Sequence, residues 1–480
     1  MGNCGPSTVW ALPPVCDAPD AFSATRIRLA DIDGSGTNDI IYLGKRQISC
    51  WLNLSGNAFA GTPIVIDTLP ELHNQADITV TDLMGTGTSC IVWSSPLDKD
   101  RNAPLRYIDL MGSRKPHLMT GYRNNLGKEV RLDYTPSTRF YIEDEQAGRP
   151  WSTKLHFPVQ CLSRVETIDH VSGHRLVNHY RYRHGYYDHA EREFRGFGMS
   201  EKRDAEQFEH WVLGGATNIV DNTLHQAPVV TRSWFHTGSM IDQHRLFGLF
   251  AADFWYNELA RQGFPVTHHE LALPDAKLIA APGVDPALIT ALSAQQWRQA
   301  MRSCRSMPLR SEVFALDAPA TGASPAQLEK QLTPFAVTTN NCIIELLQPQ
   351  GQNRHAIFTA KESEVLTYQY ERNPEEARVS HTLNLQFDEY GNVLESAKVA
   401  YPRRIADPSL PADAAAAQAQ TFISYRRARF TDDKTAGDNH RLRVPSEEHN
   451  FELRGIQKAG AYYTLNDLSL IHISEPTRPY

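Results

Sequence analysis

Arg28-Leu-Ala-Asp31-Ile-Asp33-Gly-Ser35-Gly-Thr37-Asn-Asp39-Ile-Ile-Tyr-Leu-Gly44 sets three carboxylates in a Gly-rich loop that runs straight into an apolar strand. Hard cations such as calcium need several oxygens converging on one point. Asp31, Asp33, Ser35 and Asp39 can supply side-chain oxygens and Thr37 its carbonyl, while Gly34 and Gly36 let the backbone curl to aim them inward. These five residues are the candidate calcium ligands. The plainer alternative is an Asp/Gly hairpin turn without an ion, and no EF-hand helix follows the loop.

The frame recurs as Asp82-Leu-Met84-Gly85-Thr86-Gly87-Thr88-Ser-Cys90-Ile-Val-Trp. Asp82 matches Asp31, and Gly85 and Gly87 match Gly34 and Gly36, but Met84 and Cys90 stand where the second and last carboxylates stood. The second copy keeps the turn and loses the cage, so calcium is not expected there. Strand-rich units repeating at this spacing are the signature of β-propeller blades or related arrays. Two copies cannot close a propeller.

The chain has 480 residues, 41% hydrophobic and 21% charged, with a net charge of −7. That length suggests roughly two to four domains. The acidic balance without a basic block argues against nucleic acid as a partner. No apolar run approaches the ~18 residues that a membrane helix needs, and the N-terminus lacks the basic and apolar regions of a secretory signal. Folding in the cytosol is the expectation. The cysteines Cys4, Cys16, Cys50, Cys90, Cys161, Cys304 and Cys342 are scattered and form no CxxC or Cys/His spacing, so neither a zinc site nor a disulfide framework is indicated. The tail Leu468-Ser-Leu-Ile-His-Ile-Ser-Glu-Pro-Thr-Arg478 resembles a translated sequencing-library adaptor. On that reading the natural chain continues past about Asp467.

Short strands with Gly/Asn/Pro turns are expected over Ile27–Leu29, Ile40–Leu43, Ile48–Leu52, Ile64–Ile66, Ile78–Thr81 and Cys90–Trp93. Val130–Tyr134, Phe157–Thr167 and Leu176–Tyr182 alternate as half-buried strands do. His244–Gln262 predicts a helix carrying Leu246, Leu249, Phe250, Phe254 and Leu259 and stopped at Gly263-Phe-Pro265. Pro286–Met301 predicts a second, with Leu288, Ile289, Leu292 and Trp297 on one side. Ala318–Glu329 reads as a loop, and Asp413–Gln420 as a short helix or a flexible segment.

Three aromatic and charged segments are the remaining candidates for chemistry. In the segment from His179 to Gly198, Asp188 with Glu191 or Glu193 could act as a glycosidase acid and base, with His184 or His189 as proton shuttle. The favoured reading is a Tyr/Arg strand pair turning at Gly185, stabilised by Arg–Glu pairs and Tyr–Arg stacking. Thr231-Arg-Ser-Trp234-Phe-His236 reads as a strand whose Trp234 and His236 need no ligand. Asp388-Glu-Tyr390-Gly391-Asn392 reads as a hairpin turn, because Gly391 and Asn392 tolerate positive φ. No Walker loop, GxSxG elbow, HExxH or dinucleotide fingerprint is present.

At these residues the chain resembles the B component of bacterial insecticidal toxin complexes. The resemblance is carried in order by Leu29-Ala-Asp-Ile-Asp-Gly-Ser-Gly-Thr37, Cys90-Ile-Val-Trp-Ser-Ser-Pro96, Arg106-Tyr-Ile-Asp-Leu-Met111, Pro150-Trp-Ser-Thr-Lys154, Glu191-Arg-Glu-Phe-Arg-Gly-Phe-Gly198, Trp234-Phe-His-Thr-Gly238 and Tyr401-Pro-Arg-Arg404. It implies a mainly β fold: a partial propeller with integrin-like Asp/Gly repeats, then RHS/YD-type hairpins of a hollow shell, with a small helical insertion around 244–301. The implied division is propeller-like blades over 1–112, a β-rich shell region over 113–240, a helical and loop insertion over 241–330, RHS-type hairpins over 331–467, and the adaptor-like tail 468–480. Trp234, Tyr390, Gly391 and Asn392 belong to structural motifs.

The implied role is non-enzymatic. The propeller of such a subunit docks on and gates the pore-forming A component, and its shell, with an RHS-core C component that can be fused to it, encloses the toxic C-terminal region of that component. The complex acts outside the cell, and calcium is the one cofactor expected. The chain is far shorter than a complete B component and reads as a fragment of one. The alternative is a calcium-dependent propeller-type module that binds carbohydrate or a host receptor, which several intact Asp-rich loops would favour.

Overall fold

Apolar residues at every second position build the first sheet. β1 (Ile27–Ala30), β2 (Asp39–Leu43), β3 (Ile48–Trp51) and β4 (Ile64–Ile66) form an antiparallel meander in that order. Successive side chains of a strand face opposite ways, so Ile41, Leu43, Ile48 and Cys50 enter one buried cluster while Tyr42, Trp51 and Phe59 enter another. A second meander, β5 (Asp77–Thr81), β6 (Cys90–Ser94) and β7 (Leu105–Asp109), adds Ile78, Ile91 and Trp93 to the first cluster. The expected strands are present; β7, which carries no buried alternation, was not among them. The four-stranded meander has the strand number of a propeller blade, and no sheet among the described residues closes on itself.

The computed structural model describes residues 14–204, 227–239, 248 and 250–469, apart from 46, 68, 69, 71, 267, 269, 275, 320 and 439. The chain divides into two compact units, residues 1–150 with 155–175, and residues 151–154 with 176–480. The first is completed by β8 (Gly121–Arg123), β9 (Lys128–Pro136) and β10 (Gln160–Asp169), paired antiparallel, with α1 (Ser137–Gln146) between β9 and β10.

The second unit begins with β11 (Arg175–Asp188), β12 (Glu193–Asp204) and β13 (Val229–Phe235). After α2 (Trp255–Arg261), β14 (Lys277–Ala280), α3 (Ala287–Thr290) and α4 (Ala294–Ser303) come β15 (Pro308–Ala315), α5 (Pro325–Leu332), β16 (Ala336–Gln348), β17 (Ile357–Gln369), β18 (Arg378–Phe387) and β19 (Val393–Ala400). α6 (Ala412–Gln418), β20 (Phe422–Phe430), β21 (Pro445–Leu453) and α7 (Leu465–Ser469) end it. The strands from β11 to β21 run antiparallel, neighbour to neighbour, with β14 alone off the path, parallel to β16. β16 and β17 have 13 residues each, a span of roughly 43 Å at the usual rise. Charge pairs sit across the register, as between Glu201 and Arg232 and between Glu395 and Arg427.

The helical expectations need correction at three places. Of His244–Gln262, helix α2 covers Trp255–Arg261 and ends before Gly263 at φ +82°, with Phe250, Phe254 and Leu259 buried; Leu246 and Leu249 lie outside the described residues. Pro286–Met301 holds two helices, because Ser293 starts a new one: its hydroxyl accepts the Gln296 N–H and the Gln296 side chain accepts the Ser293 N–H. α4 buries Ala300 and Met301 and leaves Trp297 exposed, and Leu288 on α3 is exposed too. The expected loop over Ala318–Glu329 turns helical at Pro325, where Ser324 and Gln327 form the same capping box with proline at the first turn. The adaptor-like tail from residue 470 lies outside the described residues, whereas Leu468 is buried in the core over β18 to β21.

Candidate functional site

The first Asp/Gly loop joins β1 to β2. Asp31, Asp33 and Asp39 bring carboxylate oxygens within 4.8 Å of one another. Asp39 is fully buried and uses both oxygens on backbone: Oδ2 accepts the Ile32 N–H and Oδ1 the Asn53 N–H, each at 2.8 Å. Burial pushes its carboxyl above the ordinary value, against those two donors, and the neighbouring Asp33 and Asp31 push the same way. Asp33 is also partly desolvated, but the Ser35 hydroxyl and N–H outweigh this and hold it below the ordinary value. Gly34 has φ +73°, and a Cβ there would meet the Pro116 ring at 2.4 Å, so the loop tolerates no side chain at that point.

The second loop shows what the extra carboxylates change. Asp82 accepts both loop donors, Thr86 N–H at Oδ1 and Gly87 N–H at Oδ2. In the first loop Asp33 takes the Ser35 N–H, the equivalent of Thr86, and Asp31 Oδ2 keeps only the Gly36 N–H. Asp31 Oδ1 is left buried without a hydrogen-bond partner. Ser35 and Thr37 pair their hydroxyls at 3.0 Å, as Thr86 and Thr88 do at 2.8 Å. The donor set of the first loop fits a hard cation. Asn53, which fixes Asp39, was invisible in the sequence because it lies on the far side of β3.

Tyr390, Gly391 and Asn392 form the tip between β18 and β19. Asp388 Oδ1 accepts the N–H groups of Tyr390 and Asn392, and Gly391 adopts φ +86°. Arg443, before β21, stacks 4.4 Å over the Tyr390 ring and bonds Asp388, Asp433 and Glu389. The Tyr390 hydroxyl donates to Asp433, whose carboxyl the Arg443 guanidinium holds down to about 2. The expected turn is thus also a junction between two hairpins.

Trp234 is fully buried in β13, edge-on to Phe254. His236 accepts the Gly238 N–H at Nδ1, and burial brings its pKa down to about 4. Beside them lies a network that sequence reasoning missed. Arg310 bonds Glu312 Oε1 and Glu270 Oε2 at 2.7 Å each and lies 4.2 Å over Phe254. Glu270 also accepts from Trp255 Nε1 and the Tyr370 hydroxyl. Burial raises the Glu270 pKa, but Arg310 outweighs it and the net shift is downward; Glu312 is shifted upward by its burial. The Arg310-x-Glu312 spacing on one strand face was the available signal. A cavity of about 440 Å³ adjoins the network, lined in part by Tyr256, His268, Leu271, Met307 and Cys342.

The glycosidase arrangement is not built. β11 continues through Gly185 to Asp188, and the turn falls beyond it because Asp188 Oδ1 accepts the N–H groups of Ala190 and Glu191. Asp188 Oδ2 pairs with Arg195, and Glu193 pairs with Arg195, Arg302 and Arg305. His184 bonds Asp253 and accepts the Ser152 N–H. These carboxylates neutralise arginines instead of facing each other across a cleft.

The family model described as "Insecticide toxin TcdB middle/N-terminal region" matches residues 53–226, and that described as "Insecticide toxin TcdB middle/C-terminal region" matches residues 299–456. No curated protein sequence matches the chain. Among solved structures, TcdB2-TccC3 is similar at TM-score 0.69 and 24% identity, over 92% of this chain and 20% of that one. The Photorhabdus luminescens Tc holotoxin pore is similar at TM-score 0.69 and 25% identity, with the same coverages. The TcdB2-TccC3-Cdc42 structure gives TM-score 0.68 and 24% identity over 91% of this chain and 20% of that one. The chain therefore spans about one fifth of the length of these structures' chains. With both middle-region models matched in sequence order across most of it, the chain belongs to the TcdB-type family, the B components of insecticidal toxin complexes.

Proposed function

We propose that the chain is the middle part of a non-catalytic scaffold subunit of a toxin complex. Its Asp/Gly meanders would be blades of a propeller that docks on and gates a pore-forming A component. Its long antiparallel sheet would be wall of the shell that, with an RHS-type C component, encloses that component's toxic C-terminal region. The observation that supports this most is the run of neighbour-to-neighbour antiparallel strands from β11 to β21 in one sheet. The similarity to TcdB2-TccC3 and to a Tc holotoxin pore supports association with a C component and a pore-forming component. No helix among the described residues is long and apolar enough to cross a membrane. Such a complex would fold in the bacterial cytoplasm and act outside the cell. The surface-binding module finds less support, since one loop of two keeps its carboxylates.

The test is to co-express the full reading frame that encodes this chain with its neighbouring C component and digest the purified complex. Protection of the C component's C-terminal region, lost when this chain is left out, is the expected result. Digestion at the same rate with and without the chain would overturn encapsulation.

We also propose calcium as the cation of the first loop, with Asp31, Asp33 and Asp39 as carboxylate ligands and Ser35 and Thr37 completing the set. The unpartnered Asp31 Oδ1 supports this. The ion's role there would be to hold the β1–β2 turn.

A further inference from the structure

The sulfurs of Cys304 and Cys342 lie 3.6 Å apart, 38 residues apart in sequence, inside one apolar cluster with Ala300, Met301 and Ile344. Two local features put them there. Cys304 is the C-cap of α4, its N–H bonded to the Met301 carbonyl, and the following turn is tied to the β13 end by Ser306 N–H to His236 O and His236 N–H to Met307 O. Cys342 faces a bulge in β17: between the pairs Asn340–Val365 and Cys342–Glu362, the single β16 residue Asn341 stands opposite Ser363 and Glu364. Asn341 is held there by its side chain, which donates to Pro274 O and Glu364 and accepts the Glu364 N–H. A bulge disturbs the ladder locally, and Cys342, the first β16 residue paired beyond it, faces the helix end. Both backbones are thus fixed, and the two thiols are within a side-chain rotation of bonding.

We propose that Cys304 and Cys342 are a cross-linking site, closed by exchange with a low-molecular-weight disulfide once the protein leaves a reducing compartment. Cys342 lines the 440 Å³ cavity whereas Cys304 is wholly enclosed, so Cys342 reacts first. Its thiolate attacks one sulfur of the small disulfide, whose other half leaves as a thiolate and takes up the proton that Cys342 lost. The Cys304 thiolate then attacks Cys342 Sγ, and the second small thiol leaves. Two protein thiols are oxidised and one external disulfide is reduced to two thiols. The hydrogen bond from Cys304 holds Cys342 below the ordinary thiol value, against its burial, which suits the attacking role. The bond would pin α4 to the central strand β16. The inference rests on packing inside one unit and stands apart from the toxin-complex reading.

The full chain, reduced and then freed of reductant, is incubated with glutathione disulfide and mapped by mass spectrometry without reduction. The expected product is a peptide pair joined through Cys304 and Cys342, with an unfolding midpoint raised on the order of 5 °C. Cys342→Ala should show neither the linked pair nor the shift. A stable glutathione adduct on Cys342 without the Cys304 link would overturn the proposal. So would recovery of both residues as free thiols after denaturation and alkylation. Both readouts come from the unmutated chain, so a variant that fails to fold does not blunt the test.

Discussion

Arg310 Nη1 donates to Glu270 Oε2 at 2.7 Å, joining the middle of β15 to a segment 40 residues earlier. Arg310 is 3% exposed and Glu312, its second partner, is fully buried. Ions taken out of water this far cost several kcal/mol each, and their mutual attraction offsets that only while every partner stays. Arg310→Met should therefore lower stability by about 3–5 kcal/mol, because two acidic groups lose their counter-charge. Adding Glu270→Gln and Glu312→Gln should restore much of the loss. Urea unfolding of the single and triple variants checks this; a single variant within ~1 kcal/mol of the parent would mean the network contributes little.

His236 gives the fold an acid-sensitive step. Its folded pKa of about 4 lies below the ordinary 6.5 because burial disfavours the imidazolium. Between those values the unfolded chain takes up a proton that the folded chain refuses. The stability contribution is complete above pH 6.5 and is lost as pH falls toward 4. The expected loss between pH 7 and pH 5 is about 2 kcal/mol. His236→Gln, which can still accept the Gly238 N–H, should remove that slope in urea titrations at the two pH values. An unchanged slope would assign the effect to other groups.

Much of the first unit was legible because its strands alternate cleanly and its turns carry Asp and Gly at positions needing special backbone. Ile64–Ile66 matches to the residue. The helices were harder to delimit: the Ser293 capping box restarts a helix inside an apolar period that runs across it, and the Ser324 box starts one within an Ala/Pro/Ser-rich stretch that carries no such period. The Tyr390 turn was readable, but Arg443, which stacks on it, is distant in sequence. The Asp loop was legible as a set of ligands, whereas the distinction between its two copies depends on which N–H each carboxylate accepts, a choice only the folded loop reveals.

Two glycines separate backbone strain from crowding. Gly391 sits at φ +86° with only the Lys361 side chain within reach of an added Cβ, at 3.8 Å. Gly391→Ala should cost about 1 kcal/mol, from the left-handed backbone alone. A Cβ on Gly198 would lie 2.5 Å from Phe250 Cζ, in a core shared with Trp234 and Phe254. Gly198→Ala should cost about 1–3 kcal/mol by overpacking. Trimming Phe250 to Leu should relieve part of the second penalty and none of the first. Thermal midpoints of the four variants decide it, and equal relief in both backgrounds would refute the division.

The two Asp/Gly loops form an internal control for calcium. Asp33 both fixes Ser35 and faces Asp31 and Asp39, whereas Asp82 has only backbone donors to satisfy. Calorimetric titration of the full chain should show calcium uptake that Asp33→Ala abolishes and Asp82→Ala leaves intact. Asp82→Ala should instead lower stability by about 1 kcal/mol through two unaccepted N–H groups, independent of calcium. Calcium should raise the unfolding midpoint of the parent and not of Asp33→Ala, since a ligand stabilises only the state that binds it. If the heat signal survives Asp33→Ala unchanged, the first loop is a turn like the second. Its extra carboxylates would then serve only to divide the backbone donors between them.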